Sequence, residues 1–224
     1  MCKMTTRIET SLIDTKIATP CLVLDREQIA KNYRNFCHKM GDIDIFYAVK
    51  ANPHPDVLSL LVAEGAYFDC ASFHEITLVL AAGSHPSSIC FGSTLKKATD
   101  IRDAYEVGVR YFTFDAREEL QKIADHAPES HVCCRILTND FGNGAQWPLS
   151  RKFGCDENMA VDLMSEAREL GLIPSGISFH VGSQQTEPTA WQAPIAQLSG
   201  IFEQLADLGI ALDTINIGGG FPTT

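Results

Sequence analysis

Positive charge is scarce in this sequence. It sets 18 lysines and arginines against 28 acidic residues, for a formal net charge of −10, and shows no basic patch. That excludes nucleic acid and anionic membrane as favoured partners, whereas a small amine-bearing molecule is electrostatically welcome. Long apolar runs are missing too, so no membrane-spanning helix is expected. Met1–Thr10 is polar and has no apolar signal core. Cysteine is present eight times, but never as a C-x-x-C pair, which excludes a zinc ribbon or thioredoxin-type motif. Cys70, Cys90, Cys133 and Cys134 lie in apolar runs, where a thiol behaves as a small hydrophobe. A reduced, cytoplasmic protein without a metal site is the simplest expectation. A G-x-G-x-x-G fingerprint is also absent, which weakens a dinucleotide-binding reading.

What is present is organised around Asp44-Ile45-Phe46-Tyr47-Ala48-Val49-Lys50-Ala51-Asn52-Pro53. The run reads as a short buried strand with one lysine at its exit, and Pro53 and Pro55 then force a turn. Taken alone, Lys50 could simply extend its amine from the strand end into water. From here strand-like runs begin near Ile45, Tyr67, Ile89 and Tyr111, each 22 residues after the last. Amphipathic stretches over 55–64, 73–82, 97–107 and 116–126 separate them, and Asp25 caps an earlier helix that runs to about Met40. Further strands are expected at Val132–Leu137, Gly176–Val181 and Thr214–Ile217, with helices over 157–170 and 189–208. Residues 1–18 show little periodicity, and Thr19–Leu24 is strand-like. We therefore divide the chain into a leader and strand, 1–24, and a barrel domain, 25–224.

Alternating strand and helix means a parallel sheet, either open and doubly wound or closed as a (β/α)8 TIM-type barrel. The near-equal units and the polar residues at strand exits favour the barrel. Seven strands are found, so the barrel is expected to be truncated after strand seven. The strand exits carry Lys50, then Asp69 with Glu75 one helical turn on, then Arg135, His180 with Ser183, and Gly218-Gly219-Gly220. Singly, each has a plain structural account: rim ion pairs for Asp69 and Arg135, a first-turn helix residue for Glu75, a core histidine for His180, a flexible loop for the glycines. Together, an anion-cradling glycine loop, an amine able to form a Schiff base and a flat side chain for stacking fit pyridoxal phosphate. Lys50 is then expected to be desolvated in the barrel mouth.

The segments Tyr47–Pro53, Phe68-Asp69-Cys70-Ala71-Ser72, Lys152-Phe153-Gly154, Ser178–Ser183 and Ile217–Pro222, in that order, resemble the ornithine/diaminopimelate/arginine decarboxylase family. These are the alanine-racemase-like, fold type III pyridoxal-phosphate enzymes. Leu149–Cys155 and Gly176–Gln185 look most like bacterial ornithine decarboxylases. The resemblance implies that Lys50 is the Schiff-base lysine and that His180 stacks on the pyridine ring. It also implies that Ser183 and Gly218, Gly219 and Gly220 hold the phosphate, with Asp69, Glu75 and Arg135 around the ring. Lys152 resembles a lysine that contacts the partner subunit of the family homodimer. The implied reaction is decarboxylation of a basic amino acid, L-ornithine to putrescine first, a step of polyamine biosynthesis. Lysine, diaminopimelate and arginine are open as substrates, and a racemase or a non-catalytic binding protein are the competing classes. The family's eighth strand, with its acid facing the pyridine nitrogen, and its C-terminal β-domain have no counterpart in these 224 residues. The chain alone is therefore expected to be inactive or nearly so.

Overall fold

A computed structural model of the protein describes residues 6–15, 17–18, 20–138, 144–147 and 152–223. Two helices lead, α1 (Thr6–Thr15) and α2 (Arg26–Met40), before the alternation begins with β1 (Phe46–Ala48). Then come α3 (Pro55–Ala63), β2 (Tyr67–Cys70), α4 (Phe73–Ala81), β3 (Ile89–Phe91), α5 (Ala98–Glu106), β4 (Tyr111–Phe114), α6 (Arg117–His126) and β5 (His131–Arg135). The rest is β6 (Ala145–Trp147), α7 (Glu157–Glu169), β7 (Ile173–Ser178), β8 (Ser183–Gln185), α8 (Gln192–Asp207) and β9 (Thr214–Asn216). Side-chain caps explain several helix starts: the Asp25 carboxylate accepts from the Gln28 amide at 3.1 Å, and that of Asp156 from the Met159 amide at 3.0 Å. Among the described residues no helix is long and apolar enough to cross a membrane.

Among the described residues seven strands form one parallel sheet in the order β1-β2-β3-β4-β5-β7-β9. Consecutive strands are neighbours throughout, the topology of a TIM-type barrel, and all strand exits lie on one end. The register puts Phe68, Phe91, Phe112, Phe114, Ile177 and Phe179 on one face, where they join helix residues such as Leu58, Ile76, Ile101 and Leu120 in a single core. Cys90 and Cys133 stand on the other face, buried yet outside that core, with Thr113 and Ser178 beside them. On this inner face the small and polar groups stand nearer the strand exits, whereas Phe46 stacks on Tyr67 and Tyr111 on His131 at the strand entries. Among the described residues β1 and β9 each lack a partner on one edge, and Phe46 and Ile215 there are 42% and 47% exposed.

Three expectations need correction. Residues 6–15 are helical rather than aperiodic. The expected strand Thr19–Leu24 does not form: Pro20 has no amide to donate, Leu22 is 88% exposed, and Cys21–Leu24 pairs with no strand among the described residues, while Thr19 lies outside them. β7 spans Ile173–Ser178 rather than Gly176–Val181, because the ladder stops once the Phe179 amide has donated to the Asn216 carbonyl. A short antiparallel ribbon, β6 with β8, was not legible in the sequence. Leu149, Ser150 and Arg151 lie outside the described residues.

Candidate active site

The charged residues singled out in the sequence converge at the strand exits. Lys50 sits on a one-turn 3-10 helix, Val49–Ala51, directly after β1, and is exposed. The expected desolvation of its side chain is not found, since β1 is an edge strand among the described residues and Lys50 is exposed. Asp69 comes from the inner face of β2, where loss of water pushes its carboxyl up, opposed by the positive charges of Lys50 and Arg135 and assisted by Glu75. Arg135 ends β5; burial lowers its pKa while Asp115 and Asp69 raise it. Its guanidinium carbon lies 5.6 Å from the ring centre of Phe153, and its Nε is buried with no hydrogen-bond partner among the described residues.

His180 follows β7 by two residues. Burial first, and then the charges of Arg135 and Lys50, hold its pKa down to about 4, so the imidazole is neutral at physiological pH. Its Nδ1 accepts from the Gly182 amide at 2.9 Å, which leaves the proton on Nε2. The ring lies against the glycine loop: a Cβ on Gly219 would stand 3.7 Å from Nε2, and one on Gly220 3.5 Å from Cε1.

Gly218 and Gly220 both adopt left-handed φ, +70° and +91°. A Cβ would collide with the Phe179 carbonyl at the first and the Gly182 carbonyl at the second, so only glycine fits. The three amides are not equivalent. That of Gly218 donates to the Asn216 side chain at 2.9 Å, whereas no acceptor among the described residues takes those of Gly219 and Gly220. Ser183 opens β8 beside this loop, since the amide of Gln185 on the same strand donates to the Gly220 carbonyl at 2.7 Å. Glu75 has a clear local role: its Oε2 accepts from the Ala71 amide at 2.7 Å while Ser72 caps the Glu75 amide at 3.2 Å, a capping arrangement at the start of α4.

Sequence reasoning missed three supports. Gly92 lies under Asp69, and a Cβ there would fall on the carboxylate, so this glycine makes the space Asp69 occupies. Asp115 accepts the Gly154 amide at 2.8 Å and faces Arg135, which explains why Lys152-Phe153-Gly154 passes beneath the guanidinium. Lys152 itself is exposed. Lys96 is buried, donating to the carbonyls of Ser93 at 2.8 Å and Thr113 at 2.6 Å and pairing with Glu119 at 3.0 Å. Apart from the Lys96 bond to Ser93, these contacts join residues 17 to 39 apart in sequence, and no local pattern marks such a partner.

The family model described as "Pyridoxal-dependent decarboxylase, pyridoxal binding domain" matches residues 26–224. The chain belongs to this decarboxylase family. It is 35% identical over 214 residues to the lysine/ornithine decarboxylase of Selenomonas ruminantium, which covers 96% of this chain and 54% of that protein. SrLDC, solved in complex with PLP and cadaverine, is 32% identical with a TM-score of 0.89 and covers 99% of this chain and 55% of its own. The arginine decarboxylase of Paramecium bursaria Chlorella virus is 30% identical with a TM-score of 0.90, over 97% of this chain and 59% of its own. The chain thus spans about half the length of the curated relatives it matches.

The residues at the strand exits fit pyridoxal phosphate as the cofactor. Two loop amides untaken among the described residues suit a phosphate, a neutral imidazole lies beside them, and an exposed amine stands within electrostatic reach of that imidazole.

Proposed function

We propose that this chain is the pyridoxal-phosphate-binding barrel of a decarboxylase acting on basic amino acids, with L-ornithine as first substrate. The observation that carries this reading is the convergence of Lys50, Asp69, Arg135 and His180 beside the Gly219 and Gly220 amides, at the strand-exit end of a parallel sheet in barrel order. Lys50 is the covalent attachment point. Gly219 and Gly220 donate to the phosphate together with Ser183, and Gly218 contributes the turn that aims them, its own amide being engaged by Asn216. His180 stacks through its neutral ring, with Nδ1 held by Gly182. Asp69 and Arg135 set the charge around the Lys50 amine, and Glu75 adds negative charge near Asp69 while capping α4.

When bound, pyridoxal phosphate supplies the electron sink that accepts the pair released as the α-carboxylate departs. The protein's part is to orient that carboxylate and, after it has left, to deliver a proton to the α-carbon, for which the Lys50 amine, having taken one from the incoming substrate ammonium, is placed. A net charge of −10 favours entry of an amino acid of net positive charge over an acidic one. Pairing of two copies, with Lys152 on the shared face, belongs to the same reading.

The substrate is tested by titrating the PLP-loaded protein with L-ornithine, L-lysine, L-arginine and meso-diaminopimelate while following its visible absorption. Ornithine is expected to perturb the spectrum at the lowest concentration. A lower midpoint for another amino acid transfers the assignment to it, and no response to any of the four contradicts the proposed function.

A further inference from the structure

We propose that Phe221 is a positioning residue for the phosphate end of the cofactor, held in a three-ring clamp that fixes the direction of the Gly219 and Gly220 amides. The inference rests on the reading that these amides receive the phosphate. Three glycines in a row have the greatest backbone freedom available, so nothing within Gly218–Gly220 holds its amides convergent. An anion site binds well only if its donors are already aimed, and the restraint must come from the flanks.

The upstream flank is Asn216, through the Gly218 amide. Downstream, Phe221 stacks on Trp191 with ring centres 5.1 Å apart and planes 17° apart. It also meets Phe36 edge-on at 5.0 Å and 75°. Trp191 lies in the turn leading into α8 and Phe36 on α2, so the clamp ties the loop after β9 to two separate elements. Two weaker ties accompany it: the Gly220 carbonyl accepts from the Gln185 amide at 2.7 Å, and the Thr223 amide donates to the Gln184 side chain at 2.9 Å. Phe221 is only partly buried and lies beyond the last strand, so its ring serves the loop more than the core.

The test compares two ligands that differ only in the phosphate group, pyridoxal 5′-phosphate and pyridoxal, by equilibrium titration of visible absorption in wild type, Phe221→Ala, Phe221→Leu and Trp191→Leu. We expect Phe221→Ala to weaken PLP by about tenfold and to leave pyridoxal within about twofold. Phe221→Leu, which fills the space without a ring, and Trp191→Leu, which removes the stacking surface, should shift PLP in the same direction by less. Equal weakening of both ligands in every variant marks a merely structural residue and overturns the inference. So does unchanged PLP affinity in all three variants. Absence of saturable PLP binding to wild type overturns the cofactor reading and the clamp's role with it, whereas wild-type binding matched by the Phe221 variants overturns the clamp alone.

Discussion

His180 illustrates how one side chain is tuned by its surroundings. Its ring is held neutral by burial and by two nearby cations, with its pKa lowered from 6.5 to about 4. The unfolded chain therefore takes up a proton at this residue in a pH range where the folded chain does not. Stability is full above about pH 6.5 and falls as the pH drops towards 4, by up to about 3 kcal/mol from this group. His180→Asn keeps an acceptor for the Gly182 amide and removes the titration. Urea unfolding at pH 7 and pH 4.5 should show wild type losing about 2 kcal/mol more than the variant across that interval; equal losses would mean the imidazole is not desolvated. At this scale the sequence was informative about which residues matter and silent about how. Lys50, Asp69, Arg135 and His180 could be picked out as polar groups at strand exits. That Lys50 is exposed, and that the Gly218 amide is engaged by Asn216, depends on partners the local pattern does not encode.

At the scale of elements, the joint between β3, β4 and α6 rests on buried charge. Lys96 fills all three of its donor positions, two on carbonyls and one on Glu119, whose other oxygen takes Lys122 at 2.6 Å. Burial lowers the Lys96 pKa and Glu119 opposes that shift. Lys96→Met leaves a buried carboxylate and two carbonyls short of a partner and should cost about 3 kcal/mol in urea unfolding. Replacing the pair together, Lys96→Met with Glu119→Leu, removes the stranded charge and should recover at least half of that loss. A single variant as stable as wild type would show the pair to be dispensable. The joint matters to the site because the loop it fixes begins with Gly92, against which Asp69 rests. Helices and strands were legible from Ile45 onward because apolar runs of strand length alternate with amphipathic stretches, the first four strands on a spacing of about 22 residues. The exceptions are elements whose existence depends on distant pairing: the end of β7, set by Asn216, and the β6–β8 ribbon.

For the molecule as a whole, the sheet explains why chemistry collects where it does. Among the described residues seven parallel strands send every exit to one end; large aromatics fill the helix-facing side, and on the other side cysteine, threonine and serine stand nearer the exits than Phe46, Tyr67 and Tyr111. The mouth therefore combines convergent polar groups with a packed support behind them. The parallel sheet followed from alternation, and its barrel order from the near-equal units and the polar residues at strand exits. The aromatic clamp on the glycine loop did not, because it joins residues 36, 191 and 221. The whole account depends on Lys50 being the amine that captures the cofactor. Incubation with PLP, reduction with borohydride, proteolysis and mass spectrometry should locate a phosphopyridoxyl group on the peptide containing Lys50 and nowhere else, and the group should be lost in Lys50→Ala. Recovery of the label on Lys96, Lys97 or Lys152, or its persistence in Lys50→Ala, would contradict the account.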